Sequence, residues 1–464
     1  MELLPMRQIV FFRLVCLALF TMFFTTPVSH AQDNTQERLR QTLKSFLNEQ
    51  EAFFEASDDV KLKREGELTI EPQGDYYVVT MPHLELHRDE GQRVDLGIIS
   101  INARPAAEDK LWHICMALPT PLLVYNKQDL LVARLDIGQQ KFSGTWHTDY
   151  QRFRDITAQF GDIMLKEHKS GATLKIPELR IDQKMDSKGT PPAWSGKRHL
   201  TLQDTAILTG NGHKVAQIGE TGFNIDMDSY SPQHDHEFRN EWIMLIKDKQ
   251  NIKQNKNTVL KAYDLITKKL PQIHNGGSFT VYAQDIRIKP PEAMRQKSGQ
   301  IDTKKVNFDR LQYSFGFTDI QQDNTGLNFS FEMKGFKTEP KPGIARGLVP
   351  KDMRMHFALN NIPYADLVAY GRKQLNRGQS PDAAANKAMR VMPKMLSNAG
   401  TTFTMKDNYI NADDYRADIN ATLKADTSAA MNFTLDAKAG IQGLKGLVNK
   451  LKSRAQKSDN PMIA

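Results

Sequence analysis

The densest group of potential metal ligands in this chain is His234-Asp235-His236-Glu237, with two imidazoles and two carboxylates in four consecutive residues. Such groups bind zinc and copper, so this segment supplies two ligands if His199 or His213 approaches it in the folded chain. The alternative is a solvated turn after Pro232 that places acidic side chains in the first turn of a helix, where the helix dipole favours them. We favour the turn and assign no metal ligand.

Other short motifs fail at the residues that their chemistry requires. Gly210-Asn211-Gly212 begins like a dinucleotide-binding loop, but Val215 replaces the third glycine and obstructs close packing. Residues 189–197 resemble a phosphate loop in which Arg198 stands where a magnesium-binding hydroxyl is needed. Asp226-Met227-Asp228 lacks the glycine and distal glutamate of a calcium loop, and neither GxSxG nor HExxH occurs. The sequence therefore predicts no catalytic residue, no cofactor and a protein that is not an enzyme.

The elements that carry these residues are predicted to be mostly strands. After residue 65, apolar and polar side chains alternate over short runs, as in half-buried antiparallel strands, and the Gln73-Gly74-Asp75 turn joins two of them as a hairpin. The expected fold is α+β and β-dominated, with large one-sided antiparallel sheets in meanders that amphipathic helices cover in part. The clearest runs are 77–81, 112–118, 131–137, 223–227, 279–283, 311–317, 327–333, 353–359, 403–405, 415–423 and 431–437.

Apolar residues at helical spacing predict a few covering helices. They lie at 35–56, at 237–270 as two helices or one long helix with an exposed middle, at 364–376 and 381–397, and at about 440–455. Met355 to Leu359 and Met431 to Leu435 each lead into such a helix, which suits a duplicated sheet-plus-helix unit. The last helix combines an apolar stripe with lysines. Packing on the sheet is favoured for it, and contact with lipid is the alternative.

Composition shifts divide the chain into six segments. They are a signal peptide at 1–31, an N-terminal helix at 32–60, a β-rich region at 61–235, a helical segment at 236–275, a β-rich region with helices at 276–456, and a flexible tail at 457–464. Turn-rich stretches at 188–197, 229–236 and 338–350 are the predicted linkers.

The first 31 residues have the pattern of a secretory signal peptide. Arg7 and Arg13 precede an apolar run of about 11 residues, and Ser29-His30-Ala31 offers small residues for cleavage before Gln32. A membrane span needs about 20 apolar residues, so cleavage is favoured over retention as an anchor. The sequence therefore predicts an exported protein.

Charge and cysteine content narrow the classes of partner. Without Glu2, Arg7 and Arg13 the chain keeps 60 basic and 53 acidic side chains, interspersed along its length, which does not favour a nucleic-acid partner. Cys115 is then the one remaining cysteine, so no intramolecular disulfide is possible. Its place in an alternating run predicts a buried structural thiol.

Two passages resemble a known family. They are residues 66–84, beginning Gly-Glu-Leu-Thr-Ile-Glu-Pro-Gln-Gly-Asp-Tyr-Tyr, and residues 137–146, Ile-Gly-Gln-Gln-Lys-Phe-Ser-Gly-Thr-Trp. They are similar to uncharacterised proteobacterial envelope proteins grouped as domain of unknown function 2125, and the resemblance is best over residues 60–170. It implies a protein exported to the Gram-negative periplasm and carries over no binding or catalytic residue.

Three classes of function remain. The first is a periplasmic, non-enzymatic protein that holds a lipid or other hydrophobic ligand on an amphipathic sheet, because the strands outnumber the helices available to cover them. The second is an envelope structural or interaction protein that docks to another protein, and the third is a hydrolase whose site has no recognisable motif. Membrane contact, if present, is expected to be peripheral.

Overall fold

The computed structural model describes residues 35–56, 60–88, 90–108, 110–189, 191–247, 256–289, 304–320, 324–340 and 347–455. The described part is dominated by nineteen strands with a few helices, and the described strand pairings are antiparallel, which confirms the predicted fold class. The chain forms two compact units. Unit 1 comprises residues up to His213 together with Ile225–Asn275, and unit 2 comprises Lys214–Asn224 together with the chain from Gly276.

Unit 1 is an antiparallel meander. Strands β1 and β2 both pair with β3, β4 follows, β5 and β6 each pair with β4 and β7, and β8, β9 and β10 continue in order. Its strands are β1 Val60–Glu65, β2 Thr69–Gln73, β3 Tyr76–Arg88, β4 Arg93–Pro105, β5 Leu111–Ala117, β6 Leu122–Tyr125, β7 Leu131–His147, β8 Arg152–Glu167, β9 Thr173–Lys188, β10 Ala193–Leu208 and the end of β11 Lys214–Tyr230. Its helices are α1 Thr35–Ala56, α2 Pro232–Lys247, α3 Lys256–Asp264, a π-helical turn Leu265–Lys269 and α4 Leu270–Ile273.

Helix α1 closes the apolar face of the unit 1 sheet. Leu39, Leu43 and Leu47 on one stripe of the helix join a single buried core with residues of the strands. Two side chains fix the start of the helix to β2, because Gln36 Nε2 donates to the Ile70 carbonyl at 2.8 Å and Arg40 Nη1 to the Leu68 carbonyl at 3.1 Å.

Unit 2 is a second antiparallel meander, in which the helices come late in the chain. Strand β12 pairs with β13, β13 with β14 and β15, and β14 with β16, followed by β17, β18 and β19. Its elements are the start of β11, β12 Gly277–Ile288, β13 Lys305–Thr318, β14 Asn324–Lys334, β15 Lys337–Glu339, β16 Pro350–Pro363, α5 Tyr364–Asn376, α6 Pro381–Ala399, β17 Thr402–Ala412, β18 Arg416–Ala425, β19 Phe433–Gln442 and α7 Leu444–Ala455. Helix α6 lies against β16 and β18.

The same backbone conformation occurs within a strand of each unit. Asp162 in β8 and Asp285 in β12 adopt positive φ (53° and 52°), a conformation that aspartate tolerates better than most residues. A glycine faces each of them, because a Cβ on Gly138 or Gly219 would lie 2.9 Å from the Cβ of Asp162 or Asp285. Glycine thus leaves room for an aspartate on the neighbouring strand at the same place in each unit.

Several sequence predictions are confirmed and others are wrong. The helix at 35–56 and the hairpin at Gly74 are confirmed, while the last helix starts at Leu444, after a strand that includes Ile441. The segments 188–197 and 229–236 are not linkers: the first contains a turn between β9 and β10, and the second joins β11 directly to α2. Cys115 is exposed, because the two-residue period places it on the face of His113, opposite the buried Trp112 and Ile114. Residues 1–31 and 457–464 lie outside the described residues.

Candidate functional site

The segment 234–237 forms the first turn of α2, as the helix interpretation predicts, but it is not a solvated turn. His236 is buried and the Asp235 side chain is 14% exposed, and His236 Nε2 lies 3.0 Å from the Asn240 side-chain amide. His213 lies in the turn before β11, and His199 is exposed on β10. Among the described residues, the three-residue group with metal-ligand spacing is His83, Glu85 and Asp95, which includes none of residues 234–237.

Asp235 is the centre of a buried ionic network in unit 1. Its Oδ2 accepts hydrogen bonds from Arg152 Nη2 at 2.6 Å and Nε at 2.8 Å, from Tyr230 Oη at 2.7 Å and from Arg239 Nε at 3.2 Å. Arg239 Nη1 also donates to Glu49 Oε1 of α1 at 2.6 Å. The network therefore connects α1, the start of β8, the end of β11 and α2.

Burial and the neighbouring guanidiniums shift the pKa values of the two carboxylates of this network in opposite directions. Burial raises the pKa of Asp235, but the Arg152 and Arg239 guanidiniums outweigh burial and hold that pKa below its usual value. At Glu49 burial dominates, so its pKa is raised although Arg239 opposes the shift. Burial lowers the pKa of Arg198 to about 10, and the nearby Arg152 charge lowers it further. Three arginines thus share this region with two carboxylates.

Aromatic rings pack around the same end of unit 1. Trp194, which is fully buried, lies 5.9 Å from the Tyr230 ring and 6.2 Å from the Tyr150 ring. His147 stacks on Tyr150 with ring centroids 4.3 Å apart, and burial lowers the pKa of His147 to about 4. His274 lies 5.0 Å from Tyr230, and burial lowers its pKa as well. These rings keep water away from the ionic network.

An apolar cavity of about 80 Å³ lies between α1 and the sheet of unit 1. Its walls are aliphatic and aromatic side chains of α1 and of strands β1, β3, β4, β5, β7 and β8, together with two amides, Gln50 and Gln151. The residues beside these amides in sequence, Glu49 and Arg152, belong to the ionic network. The cavity therefore adjoins the ionic network at these two amides and is apolar elsewhere.

Gln50 occupies an apolar position of α1 without a hydrogen-bond partner. Its side chain is 2% exposed, and neither Nε2 nor Oε1 has a partner. A buried amide that makes no hydrogen bond costs about 1–3 kcal/mol. Gln50 is thus a polar group that the fold itself does not satisfy.

Unit 2 carries a different surface, an apolar face that runs across its sheet. The register aligns Phe279 with Phe315, Phe315 with Phe329, and Phe329 with Phe357. The Phe329 and Phe357 rings lie 6.0 Å apart, Phe357 and Phe403 lie 5.8 Å apart, and Phe223 lies 6.4 Å from Phe279. We call these six phenylalanines, on β11, β12, β13, β14, β16 and β17, the aromatic row.

The aromatic row and its apolar neighbours are incompletely covered. Phe279 is 36% exposed, Phe315 37%, Tyr313 40% and Leu435 61%, whereas Phe142 and Phe160 in unit 1 are buried. The opposite face of the unit 2 sheet is polar, since Thr280 Oγ1 donates to Ser314 Oγ at 2.9 Å and Gln312 Nε2 donates to the same oxygen at 3.3 Å. The sheet thus separates a polar face from an exposed apolar one.

The group His83, Glu85 and Asp95 is already engaged in ion pairs. His83 Nε2 lies 2.8 Å from Asp95 Oδ1, and Arg93 Nη1 donates to Glu85 Oε1 at 2.8 Å. His87 Nε2 lies 2.7 Å from Glu85 Oε2. These contacts account for the three residues as a cross-strand polar cluster of β3 and β4.

None of the helices in the described ranges is long and apolar enough to cross a membrane. No protein-family model, curated protein or solved structure matches this chain. The resemblance to the proteobacterial envelope family stays a prediction.

Sequence reasoning missed both the ionic network and Gln50. The network joins residues far apart in the chain, since Arg152 and Asp235 are 83 positions apart and Glu49 and Arg239 are 190 apart. Gln50 does leave a local signal. It follows Leu39, Leu43 and Phe46 at helical spacing, where an apolar residue is expected.

Proposed function

We propose that this protein binds lipid, and that the apolar face of the unit 2 sheet holds the acyl chains. One observation carries the proposal: aromatic and aliphatic side chains continue across the sheet while Phe279, Tyr313 and Phe315 stay more than one-third exposed. Exposed apolar surfaces of this extent mark binding sites for apolar partners.

The dimensions of the aromatic row support an acyl chain as the occupant. Six strands at a spacing of about 4.8 Å give a row about 24 Å long. One leaflet of a bilayer contributes about 15 Å of hydrocarbon, so the row is long enough for a whole lipid chain. The row itself consists of phenylalanines, which suits a hydrocarbon ligand.

The charge of α7 supports a lipid with an anionic headgroup. The helix follows β19 after a single residue and carries Lys445, Lys450 and Lys452 without an acidic residue, and Lys450 is paired with Asp414. Leu444 and Val448 on the same helix are exposed. A basic amphipathic helix of this kind favours anionic lipid surfaces. The predicted signal peptide would deliver the protein to a compartment bounded by lipid.

Native mass spectrometry of the full-length protein tests this function. The protein is incubated with vesicles of phosphatidylglycerol and phosphatidylethanolamine, separated from them and analysed for bound lipid mass. We expect the unaltered protein to retain phospholipid and Phe315→Asp to lose it, because a carboxylate in the aromatic row must be desolvated against the chain.

Asn328→Asp is the matched control. Asn328 pairs with Gly316, next to Phe315, and lies on the polar face of the same sheet. The two variants gain one carboxylate each, so retention of lipid by Asn328→Asp but not by Phe315→Asp assigns the lipid to the apolar face. Protein that stays free of lipid, or equal retention by both variants, contradicts the proposal.

A second function, docking to an envelope protein, is favoured by β19. This last strand has β18 as its described partner, and nine of its ten residues are exposed, including Leu435 and Ile441. An exposed edge can accept a strand from another protein. Crosslinking in cells separates the two functions, because a docking protein yields one dominant protein adduct and a lipid carrier yields mainly lipid.

A further inference from the structure

We propose that the cavity beneath α1 is a second and separate binding site, which takes a single acyl chain ending in a carboxyl group. The proposal goes beyond lipid binding on unit 2, because this cavity lies wholly within unit 1 and has two amides in its wall.

The apolar walls of the cavity indicate that the ligand has a hydrocarbon chain. Leu43 and Phe46 of α1 face strand residues such as Ile99, Ile114 and Trp146 across the cavity. Its volume of about 80 Å³ is about half that of an engineered apolar cavity of about 150 Å³ that binds benzene. A chain of more than a few methylene groups therefore enters by moving α1 outward from the strands that it covers.

The polar side chains of the cavity indicate the chemical group at the end of the bound acyl chain. Gln50 brings two N–H donors and one carbonyl acceptor into this cavity, all buried and without a partner. Arg152, which follows Gln151 of the cavity wall in the chain, has a buried Nη1 donor without a partner, while its Nε and Nη2 bind Asp235. A carboxylate offers two acceptor oxygens for such donors, which an ester or a hydrocarbon does not match.

The charge of the region agrees with an anionic head. Arg152, Arg239 and Arg198 lie near one another with Asp235 and Glu49 as the carboxylates of the network. Three guanidiniums and two carboxylates give this cluster a net positive charge even when both carboxylates are ionised. An additional buried anion would therefore be favoured here.

Binding of decanoic acid and of methyl decanoate to the full-length protein tests the proposal. Calorimetry and tryptophan fluorescence at neutral pH serve as readouts, because Trp146 lines the cavity and all four tryptophans belong to unit 1. We expect saturable binding of one decanoate per chain, with the ester at least about tenfold weaker because it lacks the charged acceptor. This comparison uses the unaltered protein and does not depend on how a variant folds.

Two variants locate the site. Gln50→Leu removes the unsatisfied amide, so we expect a higher melting temperature and a loss of the preference for acid over ester. Gln41→Leu makes the same substitution on α1 at a residue that does not line the cavity, and we expect it to bind like the unaltered protein.

Four results would overturn the proposal. Three of them are the absence of saturable decanoate binding, equal affinity for acid and ester, and unchanged acid preference in Gln50→Leu, and the fourth is a loss of decanoate binding in Phe315→Asp. Phe315→Asp separates this site from the unit 2 surface, because it should bind decanoate normally while losing phospholipid. If Phe315→Asp loses decanoate as well, the acid binds to the unit 2 face and the cavity is not its site.

Discussion

The two units use the same strand pattern but differ in what covers it. In unit 1, α1 closes the apolar face, and one core joins Leu39, Leu43 and Leu47 with the strands. In unit 2, the aromatic row crosses the sheet while Phe279 and Phe315 remain partly exposed. The alternation of apolar and polar residues occurs in the strands of both units. The pattern therefore predicts which face of a sheet is apolar, but not whether the protein itself buries that face.

The outer strands differ in the same way. In unit 1, β1 has charged residues at four of its six positions, and its apolar Val60 and Leu62 are buried in the core that α1 completes. In unit 2, β19 leaves Leu435 and Ile441 exposed. Charged side chains and a covering helix are the usual means of protecting a sheet edge, and β19 has few of them. Unit 1 thus buries the apolar residues of its outer strand, whereas unit 2 leaves apolar residues of its outer strand exposed.

The largest difference in stability is expected between a buried Arg–Asp pair in unit 1 and an exposed Arg–Asp pair in unit 2. Asp235→Ala should lower the free energy of unfolding by about 4 kcal/mol, because it leaves Arg152 and Arg239 buried without their shared carboxylate. Asp418→Ala in unit 2 is the control, since the Arg416–Asp418 pair is solvent-exposed and should change the unfolding midpoint little.

Urea denaturation followed by tryptophan fluorescence measures the effect of Asp235→Ala, because the tryptophans lie in unit 1. Hydrogen exchange measures the effect of Asp418→Ala in unit 2. Equal losses for Asp235→Ala and Asp418→Ala would show that the buried network contributes no more than a surface pair.

The sequence predicted individual helices and turns better than contacts between residues that are far apart in the chain. Helix α1 and the hairpin at Gly74 follow from local spacing and turn chemistry, and both were predicted. The burial of Asp235 could not be predicted, because its partner Arg152 lies 83 positions away and only the folded chain brings them together. Cys115 was wrongly placed, although the two-residue period that puts Trp112 inside also puts Cys115 outside.

Truncating one phenylalanine in each unit tests whether the aromatic row is part of a core. Phe142→Ala should lower the free energy of unfolding by about 3 kcal/mol, since its ring is 5% exposed and packs on Phe153 at 5.5 Å. Phe315→Ala should cost about 1 kcal/mol, because much of that ring already faces water. Hydrogen exchange measured peptide by peptide separates the units. A cost for Phe315→Ala as large as that for Phe142→Ala would mean that the row is structural.

Acid should destabilise unit 1 through its buried histidines. The pKa of His147 falls from 6.5 to about 4 on folding, so below pH 6.5 the unfolded chain binds the additional proton and the folded state is disfavoured. The stability present above pH 6.5 is therefore lost as the pH falls towards 4, by about 2–3 kcal/mol for this group. His274, whose pKa is also lowered by burial, acts in the same direction, and Glu49, whose pKa is raised, acts in the opposite one.

Tryptophan-monitored urea midpoints between pH 7 and pH 4.5 measure this loss. His147→Phe keeps a ring against Tyr150 and removes the titrating group, so its midpoint should depend less on pH. A slope that is unchanged in His147→Phe would assign the acid sensitivity to other groups.

The smallest effect on stability is expected at the edge of unit 2. Leu435 on β19 is 61% exposed, so Leu435→Lys should leave the free energy of unfolding within about 0.5 kcal/mol. The same change places a charge on an exposed strand edge, which opposes pairing with another chain. Any pairing of two chains through this edge, measured by sedimentation velocity over a range of concentrations, should therefore be weaker in the variant than in the unaltered protein. Lys438→Leu, which removes a charge from the same strand, should strengthen it. If Leu435→Lys instead destabilises unit 2 strongly, the Leu435 side chain contributes to packing despite its exposure. The apolar face of unit 2 would then be part of a structural core, as in unit 1.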